Sequence, residues 1–205
     1  MIEMLTATGK APGPVADKTK ILLLGDSGYV DLANPTRTIQ QVGSPGFNTG
    51  TPYWGTRSFD FNVGNYSKAV VQDSSLILPA GGDWTFELFC RMRARNVNTV
   101  PFVAGSFGVT VNDSTWRITG HGANATVSSS SLVWSHIAIV ASGGVVKTYF
   151  NGTLRSTGTA VSAYLGNITL GSGDYASGWI DGFRVSNIAR YTGDFTPPTV
   201  PFVVD

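Results

Sequence analysis

The chain has 205 residues, 42% hydrophobic and only 13% charged, with 25 glycines, a single cysteine and a formal net charge of +1. A length of this order supports one domain with one sizeable core, and the sparse charge leaves a surface of Ser, Thr, Asn and Gly that suits strands and tight turns rather than helices. Near-neutral charge, with no Lys/Arg cluster interleaved with aromatics along one groove, argues against nucleic acid as a partner, and the lone Cys90 excludes an intrachain disulfide framework or a CxxC site.

In chain order, residues 1–18 hold Gly9, Pro12, Gly13 and Pro14 with no periodicity, so an extended arm is expected there, with the folded domain over residues 19–205. The first ten residues, MIEMLTATGK, lack the basic and apolar regions of a signal peptide, and no window is apolar enough for a membrane span. Synthesis in the cytoplasm without membrane insertion is therefore the expectation. Strand-length apolar runs follow at residues 21–24, 58–61 and 69–71, separated by residues 40–54, which read as a long irregular loop. In WTFELFCRM, Trp84, Phe86, Leu88, Cys90 and Met92 alternate with Thr85, Glu87, Phe89 and Arg91, which predicts a strand with one core face and one wetter face.

Further strands are predicted at residues 100–104, 107–111, 115–119 and 123–128. WSHIAIVA is apolar on both faces and reads as a central strand; Gly143-Gly144 then turns the chain into VVKTYF, and Asn151-Gly152 turns it again. NITLG and GWIDGFRVS complete the pattern, with one helical turn expected near residues 187–190.

Several residues invite a chemical role. On the wetter face of its strand, beside Arg91, Glu87 reads as a member of a surface cross-strand ion pair. Arg91, Arg93 and Arg95 alternate onto one face, which reads as a solvated stripe with anion binding as the lesser alternative. His136 is expected to be buried and hydrogen-bonded and His121 to sit in a surface turn, neither with a second metal ligand at useful spacing, while Cys90 should be an inert core thiol. Asp181 falls by the period-two rule on the face of Trp179, Phe183 and Val185, so a buried structural acid is expected, partnered by backbone amides or by Arg190.

Four segments in order, WGTRSFDF, GDWTFELFCRMR, WSHIAIVASGGVVKTYFNGTLRST and GWIDGFRVSNIARYTGDFTPPTVPF, together resemble laminin-G-like domains of the concanavalin A-like lectin/glucanase superfamily. The closing ARYTGDFTPP is similar to the version found in bacteriophage virion proteins. The resemblance implies an all-β, two-sheet antiparallel jelly-roll sandwich that binds carbohydrate, protein or no ligand. It departs from the superfamily's hydrolases, which carry an ExDxE-type strand motif: the only glutamates here are Glu3 and Glu87, so no catalytic residue is assigned. Some such domains hold one calcium at the rim; Asn112, Asp113 and Asp174 are the nearest candidates, but without a close run of acidic oxygens no metal and no cofactor is expected.

What the resemblance implies is thus a non-enzymatic virion structural protein, either a head decoration or a small tail-associated protein. Its partners would be phage capsid or tail proteins, reached through residues 1–18, and a homo-oligomer on the particle is expected. The alternative is a carbohydrate-binding module for host cell-surface glycans, for which Trp116, His121, Tyr164, Tyr175 and also Tyr53 are the candidate contacts.

Overall fold

The computed structural model describes the chain apart from residues 1–17, 62–66, 74, 94–98, 106, 113, 121, 161, 162, 165 and 173–177, and gives the backbone alone at 163, 164 and 172. Its described strands, in order, are β1 (Thr19–Leu23), β2 (Ile39–Val42), β3 (Gly46–Asn48), β4 (Ser58–Asp60), β5 (Lys68–Val71), β6 (Ile77–Leu78), β7 (Trp84–Met92), β8 (Thr99–Ala104) and β9 (Phe107–Asn112). They continue with β10 (Thr115–Gly120), β11 (Ala125–Ser128), β12 (Trp134–Ser142), β13 (Val145–Phe150), β14 (Thr153–Thr159), β15 (Ala163–Tyr164), β16 (Ile168–Ser172) and β17 (Gly178–Ser186). The described helical content is one 3₁₀ turn, Gly25–Ser27; the helical turn expected near residues 187–190 does not form, because that segment bonds to strands rather than to itself. Within the expected loop at 40–54, β2 and β3 pair with β5 and β4 respectively.

Two antiparallel sheets make the sandwich. One runs β14-β13-β12-β7-β17-β4-β3, with β1 added beside β17; the other runs β11-β10-β9-β8-β16-β5-β2, and β15 pairs with β6 apart from both. As its two-sided apolar pattern predicts, β12 lies between β13 and β7. The β12–β13 and β13–β14 connections are two-residue turns in which Gly143, Gly144, Asn151 and Gly152 all take positive φ, the requirement of a type I′ hairpin. Between the sheets, Trp84, Phe86, Phe102, Phe107, Phe183, Trp116 and Phe150 form one continuous core with the aliphatic side chains of facing strands.

The eight-stranded sheet is buried on its other face too. Residues 187–205 cross that face as a strap, and with the segment around Trp54 they cover Leu22, Phe89, Ala138, Val140 and Tyr149. Hydrogen bonds fasten the strap along its length: Thr85 Oγ1 donates to Ile188 O and accepts from Arg190 N–H, Phe195 N–H donates to Gly152 O, and Lys18 N–H donates to Asp205 O. The expected wet face of β7 is therefore dry at Thr85, Glu87 and Phe89, Glu87 being 0% exposed, and only Arg91 at its end is half-buried.

Candidate functional site

The register of the eight-stranded sheet sets side chains on its outer face in cross-strand rows. Ala138 of β12, Glu87 of β7 and Arg184 of β17 share one row; His136, Phe89 and Asp181 share the next; Trp134, Arg91, Trp179 and Asp60 of β4 form the last.

Under the strap, the Glu87 row is an ionic network. Its carboxylate accepts from Arg184 (Nε to Oε1 2.8 Å, Nη2 to Oε1 2.7 Å) and from Tyr191 OH (2.7 Å), and His136 Nε2 lies 3.3 Å from Oε2. Burial alone would raise the Glu87 pKa, but the hydrogen bond from His136 and the Arg184 charge outweigh it, so the group is held below the usual carboxylate range. This corrects the surface-pair expectation: Arg91 sits one row away, and the partner of Glu87 is Arg184. His136 is buried and bonded as anticipated, and burial pushes the Cys90 thiol up, as befits an inert core thiol.

In the next row Asp181 is buried, but not on the face assigned to it. A bulge between Asp181 and Phe183, made at Gly182 with φ +80°, breaks the alternation. Phe183 and Val185 therefore enter the inter-sheet core, while Asp181 stays with Trp179 on the outer face. A Cβ at Gly182 would lie 2.5 Å from the Trp54 ring, so the bulge also lets that ring approach the backbone. Asp181 accepts the N–H groups of Tyr53 and Trp54, both at 2.8 Å. Arg190, its alternative partner, bonds Ser186 and Asp205 instead, because the strap carries it to the far end of the face. Burial is the largest influence on Asp181 and pushes its pKa up to about 6, against the opposing pull of those backbone amides.

A second acid, Asp26 on the 3₁₀ turn, accepts Thr56 N–H (3.0 Å), Thr56 Oγ1–H (2.7 Å) and Arg57 N–H (3.1 Å). The segment around Tyr53 and Trp54 is thus clamped at both ends by carboxylates.

That clamp places Tyr53 at the open end of the face, beyond the strap. The Tyr53 ring stacks on Phe89 (centroids 4.0 Å apart) and stands 5.7 Å from Trp134, whose Nε1–H donates to Thr51 O. Arg91 donates to Leu132 O and Thr51 Oγ1 and lies 5.1 Å over Trp179; Arg93 reaches over the same ring at 6.0 Å. Tyr53, Trp134, Trp179 and Arg91 are half-buried, Arg93 is exposed, and Leu132 and Val133 beside them are exposed apolar residues. With Trp134 and Trp179 two strands apart, their rings bracket Arg91 across about 10 Å.

The named ligand candidates fare differently. Trp116 is 1% exposed and packs edge-on against Phe150 at 5.4 Å, so it is core and not a platform, β10 having turned it inward. Tyr164 lies on the short strand opposite Ile77, away from this face, and its side chain is outside the description. His121, Tyr175, Arg95, Asp113 and Asp174 lie outside the described residues, as do residues 1–17 of the arm. Among the described residues no group of three His, Cys, Asp or Glu is placed to hold a metal, and no helix is long and apolar enough to cross a membrane. Trp134 and Trp179 were not singled out from sequence, and Arg91 was read there only as part of an arginine stripe with anion binding as the lesser alternative. Arg91 falls on the outer parity of its strand, whereas Trp179 shares the parity of the core residues Phe183 and Val185 and reaches the outer face only through the bulge at Gly182. The register brings both into one row with Trp134.

A laminin-G family model, described as concanavalin A-like lectin/glucanases superfamily, matches residues 63–192, more than half of the chain. No curated protein sequence matches. Among solved structures, the binding domain of Paraclostridial Mosquitocidal Protein 1 is similar with a TM-score of 0.64 and 14% identity over 85% of this chain and 50% of that one. The botulinum neurotoxin serotype D binding domain gives 0.63 and 12% over 84% and 49%. Domain 4 of AbnA, a GH43 extracellular arabinanase from Geobacillus stearothermophilus, solved in complex with arabinotriose, gives 0.62 and 15% over 84% and 94%. The chain spans about half the length of the two toxin binding domains and nearly all of the arabinanase domain. At these identities the likeness shows the shared fold.

Proposed function

The chain belongs to the concanavalin A-like lectin/glucanase superfamily, and from that membership we propose that it is a non-enzymatic carbohydrate-binding module. The observation that carries this is the open row: Tyr53, Trp134 and Trp179 offer apolar ring surface beside Arg91 and Thr51, the pairing of aromatic area with a few fixed polar groups that saccharide sites use. The arabinotriose complex of domain 4 of AbnA supports a saccharide as the class of ligand. Hydrolysis finds no support, since Glu87 is sealed beneath the strap and already committed to Arg184, His136 and Tyr191, while retaining chemistry needs two carboxyl groups ~5 Å apart at the substrate.

Titration calorimetry with neutral and acidic oligosaccharides tests the reading: wild type binds at least one, and Trp134→Ala weakens that binding by about tenfold or more, as loss of an aromatic anchor does. Equal binding by the variant, or none by either protein, rejects it.

As to where the module acts, its ARYTGDFTPP element, which forms part of the strap, supports a bacteriophage particle, with the domain as a head decoration or small tail-associated protein. Residues 1–18 are then the attachment segment to capsid or tail proteins, and homo-oligomeric display follows from repeated sites on a particle. Co-sedimentation of the chain lacking residues 1–17 is the check: the truncated protein stays folded and no longer pellets with particles, and full occupancy by it refutes attachment through the arm.

A further inference from the structure

We infer that the open row is built for a saccharide bearing a carboxylate, with Arg93 as the group that reads the acid; this rests on the carbohydrate-binding reading and narrows it.

The two arginines at Trp179 are not equivalent. Arg91 is already committed: its Nε donates to Leu132 O and its Nη1 to Thr51 Oγ1, so it braces the Trp179 ring and ties the Tyr53 segment to β7. Arg93 follows two residues later on the same parity, is exposed, and lies over the same ring. Among the described residues it has neither an ion pair nor a hydrogen bond. Four other arginines are paired with acids or carbonyls: Arg37 with Asp31, Arg184 with Glu87, Arg190 with Asp205 and Arg57 with Gly25 O. The exposed Arg117 and Arg155, like Arg93, have no such pair among the described residues; what sets Arg93 apart is its place beside the aromatic row.

At 6.0 Å from the indole the Arg93 guanidinium is not packed flat on the ring, so its N–H donors stay available, and their planar fork matches a carboxylate bidentately. The weak hydration of a guanidinium lets it do so at a half-exposed surface. The one acid in the row, Asp60, stands on β4, across Trp179 from β7 and from Trp134 beyond it. An anionic ligand therefore sits on the β7 side, with a sugar ring against Trp134 and Tyr53 and its carboxylate on Arg93.

The test compares tri-galacturonate with arabinotriose, and an oligoglutamate peptide of equal charge, on wild type and Arg93→Gln. Because Arg93 is exposed and, among the described residues, contacts only the Trp179 ring, unchanged thermal unfolding of the variant is expected and confirms that its fold is intact. Tri-galacturonate binds wild type, weakens as salt rises, and loses about tenfold or more in Arg93→Gln, the scale of one charged hydrogen bond. Equal binding of tri-galacturonate by both proteins, or binding of arabinotriose alone, overturns the acidic specificity and leaves carbohydrate binding standing. Binding of oligoglutamate with the same Arg93 dependence shows that the row reads charge rather than sugar and overturns the saccharide. If neither saccharide binds, both readings fall.

Discussion

Two buried acids on one sheet face have their carboxyl pKa values shifted in opposite directions. Glu87 faces cations and donors on three sides, from Arg184 on the neighbouring strand, His136 on the other neighbour and Tyr191 on the strap, and it stays ionised. Asp181 has backbone amides for partners and no cation, so its charged form is disfavoured. Truncating the first strands Arg184 in a dry interior: Glu87→Ala is expected to cost about 3–5 kcal/mol in denaturant unfolding, where an exposed pair would have cost at most about 1 kcal/mol. The pH signs also differ. Glu87, with its folded pKa lowered, contributes stability above the unfolded carboxylate range that is lost as pH falls through the folded value. Asp181, with its folded pKa raised to about 6 from 3.8, contributes stability below that lower value and loses it as pH rises towards the upper one. Melting curves of wild type and Asp181→Asn should therefore show the wild-type advantage shrinking between those two values; a constant difference would place Asp181 in water. Asp181→Ala removes the acceptor for Tyr53 and Trp54 and should cost about 2–4 kcal/mol below the lower of these values, with the penalty shrinking as pH rises towards the upper one.

At the scale of elements, the strap decides what the eight-stranded sheet can present. Phe202 sits against Trp54 at 5.0 Å and Phe89 at 6.0 Å, with the Arg184 guanidinium 4.3 Å over its ring, so it caps the apolar and ionic rows together. Phe202→Ala should cost about 3–5 kcal/mol, as for a core phenylalanine, and a shift under about 1 kcal/mol would show the strap to be loosely laid. The strands themselves were legible: residues 84–92, 145–150 and 178–186 form β7, β13 and β17 as their alternation and turn residues predict. The strap was not, because its hold on the sheet comes from partners far apart in sequence, such as Tyr191 with Glu87 and Arg190 with Thr85, and its own residues carry no period. Asp181 shows the same limit in one residue. Burial and amide partners followed from its apolar neighbours, whereas the bulge at Gly182 moved Phe183 to the opposite face, and a glycine inside a strand is its sole trace in the sequence.

For the whole molecule, the candidate site exists because three strands distant in sequence are adjacent in register and because the strap stops one row short of their end. Trp134, Arg91 and Trp179 then meet at an edge that the clamped Tyr53 segment borders. The chain's five tryptophans divide accordingly: Trp84, Trp116 and Trp54 are buried, while Trp134 and Trp179 are half-buried in the row. That division makes the indole N–H resonances of the labelled protein the most direct reporters of the binding claim. In a titration with tri-galacturonate or arabinotriose, the signals of Trp134 and Trp179 should shift with saturation while those of Trp84 and Trp116 stay in place. Saturable shifts confined to Trp84 or Trp116, or no shift in any of the five with either saccharide, would contradict the assignment of this face as the binding site.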